Sequence, residues 1–112
     1  MALTTTDQEI ISQTIDIPSW AGLVSIDAQA RLQITNGSGV QGAVANVRFN
    51  DVLSGAATDD VPNGSIGGAV KREVFQLSMP GATVEGSAYG RVTVGTNSAN
   101  ATTLHIVALG VR

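Results

Sequence analysis

A chain of 112 residues makes one domain, and a formal net charge of −3 with only 13% charged residues leaves no basic footprint, which excludes a general nucleic-acid binder. The absence of cysteine excludes disulfides and thiolate metal sites. No apolar run approaches the roughly 20 residues of a membrane-spanning helix, and Met1 to Glu9 has neither the basic nor the apolar segment of a secretory signal peptide, so no membrane partner and no secretory route are expected.

The first nine residues read as a polar, threonine-rich N-terminal arm, followed by a single domain over 10–112. Glu9 to Ile17 reads as a first strand with Ile11, Ile15 and Ile17 on one face, stopped by Pro18 and the turn Ser19-Trp20-Ala21-Gly22. Leu23 to Thr35 is the strongest signal in the chain. From Val24 to Ile34 every even position is apolar and every odd position polar, a period of two that a half-buried strand explains. Asn36 to Gly39 is a turn, and Asn36-Gly37, like Asn63-Gly64, is a dipeptide typical of tight hairpins. Both pairs sit in matches to the glycosylation tripeptide, as does Asn100-Ala101-Thr102. With no secretory route expected, they are read as turns.

Val40 to Phe49 is a third strand, with Ala43, Ala45, Val47 and Phe49 on one side. Asp51 to Gly68, rich in Gly, Ala, Asp, Pro and Asn, reads as a long irregular loop. Ala69 to Met79 is a fourth strand, with Phe75, Leu77 and Met79 inward and Arg72, Gln76 and Ser78 outward. Pro80-Gly81 turns the chain, Val84-Glu85 starts a short strand, Ala88 to Val94 forms a clearer one, and Gly95 to Asn100 turns again. The last strand, Thr102 to Val111, is apolar on both faces, which fits either a central strand or one that lies against a partner. No segment sustains a helical period. The expected fold is therefore all-β: an antiparallel β-sandwich or jelly roll of about six to eight strands with an extended N-terminal arm.

Little in the chain points to chemistry. His105 is the single histidine, sits in mid-strand, and has no nucleophile or carboxylate partner supplied by a motif; one histidine also falls short of a multi-histidine zinc site. Asp51, Asp59 and Asp60 are oxygen donors in the long loop, but calcium-loop spacing is absent and they read as solvated turn residues. Gly64-Ser65-Ile66-Gly67-Gly68 lacks the lysine and hydroxyl of a nucleotide loop, and neither Ser54 nor Ser87 sits in a nucleophile elbow. No enzyme activity, metal or cofactor is expected. Of four aromatic residues, Phe49 and Phe75 fall in phase with core faces, which leaves Trp20 to plug an open end of the sandwich or, with Tyr89, to offer a stacking surface. A charge content about half that of an ordinary domain suits surfaces that meet other protein surfaces.

The run Ile15-Asp16-Ile17-Pro18-Ser19-Trp20, followed by an alternating strand, resembles the opening of small β-sandwich domains in tailed-bacteriophage fibre proteins. The whole is similar in character to accessory proteins of phage virions: short, cysteine-free, mildly acidic, and rich in Gly, Ala, Thr and Asn. The resemblance implies a non-enzymatic structural protein of a virion, assembled in the host cytoplasm, either a head decoration (cement) protein or a short fibre component. It would act as a homo-oligomer, with a trimer the expected form, and would touch the major capsid protein or another virion protein. Its contacts would come from the arm and first strand (Leu3, Thr5, Ile10) and from one face of the last strand (Val107, Leu109, Val111). The alternative is a carbohydrate-binding module for host recognition, with Trp20, Tyr89, Asp59 and Asp60 forming the site.

Overall fold

The computed structural model describes residues 2–50, 52–77, 81 and 83–111. Among these residues it has eight strands: β1 (Ala2–Leu3), β2 (Gln8–Asp16), β3 (Leu23–Thr35), β4 (Gln41–Phe49), β5 (Val52–Val61), β6 (Ile66–Leu77), β7 (Thr83–Val92) and β8 (Asn97–Val111). They form two four-stranded antiparallel sheets, ordered β1-β8-β3-β6 and β2-β7-β4-β5. The pairs β1 with β8, β2 with β7, β3 with β6 and β4 with β5 nest inside one another, as in a single long hairpin wrapped around a barrel axis. Only β4 and β5 are joined within one sheet; every other connection crosses to the opposite sheet. This is jelly-roll connectivity, which decides between the two architectures that the alternating strands allow.

The long alternating strand is β3, with the expected bounds, and its even residues from Val24 to Ile34 are no more than 2% exposed. It is paired along its length with β6 on one side and β8 on the other, so its inner face spans the whole core. That core is thin. Ala28, Ala30, Ala43, Ala45 and Ala88 line it, and a Cβ added at Gly86 would stand 2.7 Å from Ile106 Cδ1 and 2.9 Å from Phe49 Cε1. Small residues on facing strands bring the sheets close and leave larger side chains such as Leu32, Ile34 and Val92 to fill the ends.

At one end the two Asn-Gly turns meet. The Asn36 amide donates to the Ser65 carbonyl (3.0 Å) and the Gly64 amide to the Asn36 carbonyl (2.8 Å). The Asn36 side chain, 2% exposed, donates to the carbonyls of Gly39 (2.7 Å) and Val61 (2.6 Å) and accepts from the Ser38 amide (3.1 Å). Neither turn closes a paired hairpin: each carries the chain between sheets, with positive φ at Gly39 and Gly64 rather than at Asn36.

Three sequence expectations need correction. The N-terminal segment, expected to offer contacts to a neighbour, is held by its own fold: β1 pairs with Asn97 and Ser98, Leu3 is fully buried among Leu32, Ile34 and Val92, and the Val92 amide donates to the Thr4 carbonyl at 3.0 Å. The expected long loop is mostly strand β5, whose pairing with β4 overrides the weak strand propensity of its Gly, Ala and Asp residues. Finally, β7 is one strand rather than two, and β8 starts at Asn97, so the expected turn at 95–100 is shorter. Asp51, Ser78 and Met79 lie outside the described residues.

Candidate interaction surface

The two long sides of the sandwich differ in chemistry. Along one side run β5 and β6, each the border of its sheet. Residues paired across a ladder share a face, so Lys71 and Glu73, opposite Ala30 and Ala28, point to the inner side of their sheet, and Asp59, opposite Ala43, does the same on the other. Lys71 Nζ and Glu73 Oε2 form an ion pair at 3.4 Å. Inward-pointing charges at a sheet border are a known defence against pairing with a further strand. Beneath them the side is sealed by Val61, fully buried, and by the rings of Phe49 and Phe75, packed edge to face at 4.7 Å between centroids.

Along the other side run β2 and β8. The described residues of strand β1 pair with Asn97 and Ser98, and from Ala99 onward β8 has β3 on one side and, among the described residues, no strand on the other. The ladder with β3 shifts register between Ala99 and Ala101 and then runs unbroken from Ala101 to Val111. Over its fifteen residues β8 holds no Asp, Glu, Lys, Arg or Pro, the residues that ordinarily blunt an edge. Its inward Leu104 and Ile106 pack on the core but stay part-exposed, and Ala108, in a recess shared with Pro18 and Trp20, is exposed. Across the seam Ile11 and Ile15 of β2 share the inner face with Ala88 and Val84; Ile11 remains 41% exposed.

The outer face of the β8-β3-β6 sheet adds to this apolar side. Val107 (53% exposed) and Leu109 (66%) stand beside Asp27 and Ser25 of β3, with Val74 of β6 opposite Asp27 on the far side. Between the valines, the Arg72 guanidinium grips Asp27 with two hydrogen bonds, Nε donating to Oδ1 at 3.0 Å. These bonds, aided by the guanidinium charge and by nearby His105, hold the Asp27 carboxyl below its ordinary value, and the same pairing raises Arg72. At the Gly110 end of β8 the Trp20 ring lies on the inner phase of the strand, the side of Val24, where a Cβ added to Gly110 would meet it at 3.0 Å.

The outer face of the other sheet is used internally. Asp7 reaches over it and accepts from Arg91 (2.8 Å), Asn46 Nδ2 (3.0 Å) and Arg48 (3.3 Å), and the Arg48 guanidinium lies 3.8 Å from the centre of the Tyr89 ring. Asn46 is fully buried there. This cluster fastens the N-terminal segment. Its partners lie 39 to 84 residues away in the chain, so no local pattern could have announced it.

The six residues expected at an interface are therefore split. Val107 and Leu109 share one exposed face, as expected; the Val111 side chain lies outside those described. Leu3 is committed to the chain's own core, and Ile10 packs on the same cluster as the extra residue of a bulge in β2, so neither is on offer to a neighbour. Thr5 is exposed, but its segment lies at the Asn97 end of β8, roughly 40 Å along the strand from Leu109 at about 3.3 Å per residue. The glycan set is not gathered either. Trp20 caps one end, and Tyr89 lies under Arg48 in mid-sheet. Asp59 and Asp60, consecutive on β5, point to opposite faces, so they do not converge on one ligand. Among the described residues no group of three or more His, Cys, Asp or Glu side chains is arranged to hold a metal ion. In comparisons with protein-family models and with curated proteins, the chain matches none.

Proposed function

We propose that this chain is a non-enzymatic structural protein of a tailed-phage virion, a head decoration protein or a short fibre component, that works by adhesion to copies of itself and to a neighbouring virion protein. The observation that carries the reading is the β2–β8 side of the sandwich, where a border strand without charge, a part-exposed core seam and the exposed Val107 and Leu109 lie together. A border of that kind attracts protein, and many such contacts on a symmetric lattice add through multivalency. The jelly roll suits the role, since capsid and lectin domains are built on it, although architecture alone does not assign a function. The setting in a virion rests on the resemblance of Ile15 to Trp20 and the strand that follows to phage fibre domains.

Immunogold labelling of particles purified from the lysed host tests the proposal. Labels at regular positions on heads or tails are expected. Unlabelled particles, with the chain found only among free proteins of the lysate, would overturn it. A glycan array that returned a specific sugar would shift weight to the lectin reading, whose four residues stand apart in this fold.

A further inference from the structure

We infer that two copies of the chain join edge to edge through β8, antiparallel across a two-fold axis, so that the two β1-β8-β3-β6 sheets merge into one continuous sheet. The inference deepens the self-association in the proposed function and rests on that part of it alone.

The choice of occupant follows from the four borders of the molecule. Strand β6 presents Lys71 and Glu73 inward and Arg72 outward. Strand β5 presents Asp59 and Asp60, with its ladder interrupted opposite Asn46 to Arg48. Strand β2 carries Glu9 and Asp16, with a bulge between Glu9 and Ile11. Each of these borders has a feature that discourages pairing. The unbroken stretch of β8 from Ala101 to Val111 has none, and it extends for about 36 Å at 3.3 Å per residue. The one border of this chain that matches it in length, apolarity and lack of charge is β8 itself. Pairing like with like about a two-fold axis makes a closed, isologous contact, whereas pairing β8 with a different border would be heterologous and set it against charge.

Geometry then restricts the register. Residues directly opposite in an antiparallel ladder share a face, so the axis must pass through a residue rather than between two. The midpoint of the unbroken stretch is Ile106. With the axis there, Val107 faces the second copy's His105, Leu109 faces its Thr103, and inward Leu104 faces its Ala108. No like charges meet. The part-exposed Leu104 and Ile106 gain cover, and the isoleucines of β2 are brought alongside the new seam. The contact would supply the ladder hydrogen bonds that β8 lacks on this side, the same addition of a strand by which sheet borders capture peptides.

Sedimentation of the full chain and of two charge variants tests the inference. Thr103 and Leu109 are exposed, so Thr103→Lys with Leu109→Lys, and separately Thr103→Glu with Leu109→Glu, leave the core untouched. In the proposed register each variant sets like charges opposite one another twice. The native chain is expected at twice the chain mass and each variant at the chain mass, with circular dichroism unchanged. An equimolar mixture of the two variants is expected to return to twice the chain mass, because lysine then faces glutamate. A native oligomer of any size that both variants retain would overturn edge pairing and leave self-association standing. A native chain that stays at the chain mass up to its solubility limit would overturn both.

Discussion

The two long sides of this sandwich are built from strands of similar length, yet they meet water in opposite ways. The β5–β6 side closes over Val61 and a pair of phenylalanine rings and then places Lys71, Glu73 and Asp59 on the inner phase of its strands. The β2–β8 side leaves Ile11, Leu104 and Ile106 part-exposed and puts no charge on β8 at all. Both sides are borders of the same two sheets, so fold stability alone does not require the difference. Charge at a border costs some packing and keeps other strands away; its absence leaves backbone donors and acceptors available to another chain. The lesson is that a border is read by which phase its charges occupy, not by how many it has.

The largest expected effect comes from removing what covers the start of β8. Leu3→Ala empties a fully buried site and should lower stability by about 2–5 kcal/mol in urea unfolding, whereas Leu109→Ala, on the open side, should stay within about 0.5 kcal/mol. Equal losses at the two positions would mean that the segment before β2 is not part of the core. Deleting Met1 to Thr6 should act in the same direction as Leu3→Ala and destabilise the domain itself, rather than trimming a detachable arm.

Next in size is Asp7→Asn, which weakens three charge-assisted hydrogen bonds to Arg91, Arg48 and Asn46. The cluster is partly solvated, so the expected loss is about 1–2 kcal/mol by the same unfolding measurement. A loss below the experimental error would show that Leu3 alone holds the segment. Making the charged side resemble the open one is a sharper test of the comparison. Replacing Lys71 and Glu73 together by Val should change folding by no more than about 1 kcal/mol, since the pair is only partly buried, but light scattering should then find particles larger than the native ones. Unchanged particle mass would mean that inward charge is not what protects β6.

The smallest effect belongs to Asp27 and Arg72. Because the folded-state carboxyl of Asp27 is held below its ordinary value, the stabilisation is complete above the unfolded-state value near 3.8 and fades as pH falls through the depressed one. Arg72→Gln should therefore leave stability near neutral pH almost unchanged and flatten a shallow decline on the acid side. Acid titration followed by circular dichroism reads the difference; identical profiles for the two proteins would remove the pair from the account.

The sequence pattern reached some of this and stopped at identifiable places. Period two in β3 is legible because one face of that strand is buried along its whole length. The double apolar character of β8 is also visible, and it admits two readings; the strand order places β8 between β1 and β3, but the described residues of β1 pair with Asn97 and Ser98 alone. Strand β5 was hidden because Gly55, Ala56, Ala57, Asp59 and Asp60 carry little strand propensity and are held by their partner strand. Leu3 was the one large apolar residue between Met1 and Asp7, a signal that the polar surroundings outweighed. One clue to the borders was present throughout: Lys71 and Glu73 share the phase of Phe75, and charges on a core phase mark the edge of a sheet. The long-range Asp7 cluster and the crossing of nearly every connection left no local trace, since both depend on residues brought together only by the complete fold.

Amide hydrogen exchange of β8 and β6, followed over a range of protein concentrations, tests the central claim most directly. The account predicts that protection from Ala101 to Gly110 rises with concentration while that of Lys71 to Glu73 stays constant. Protection of β8 that is independent of concentration, or a rise confined to β6, would contradict it.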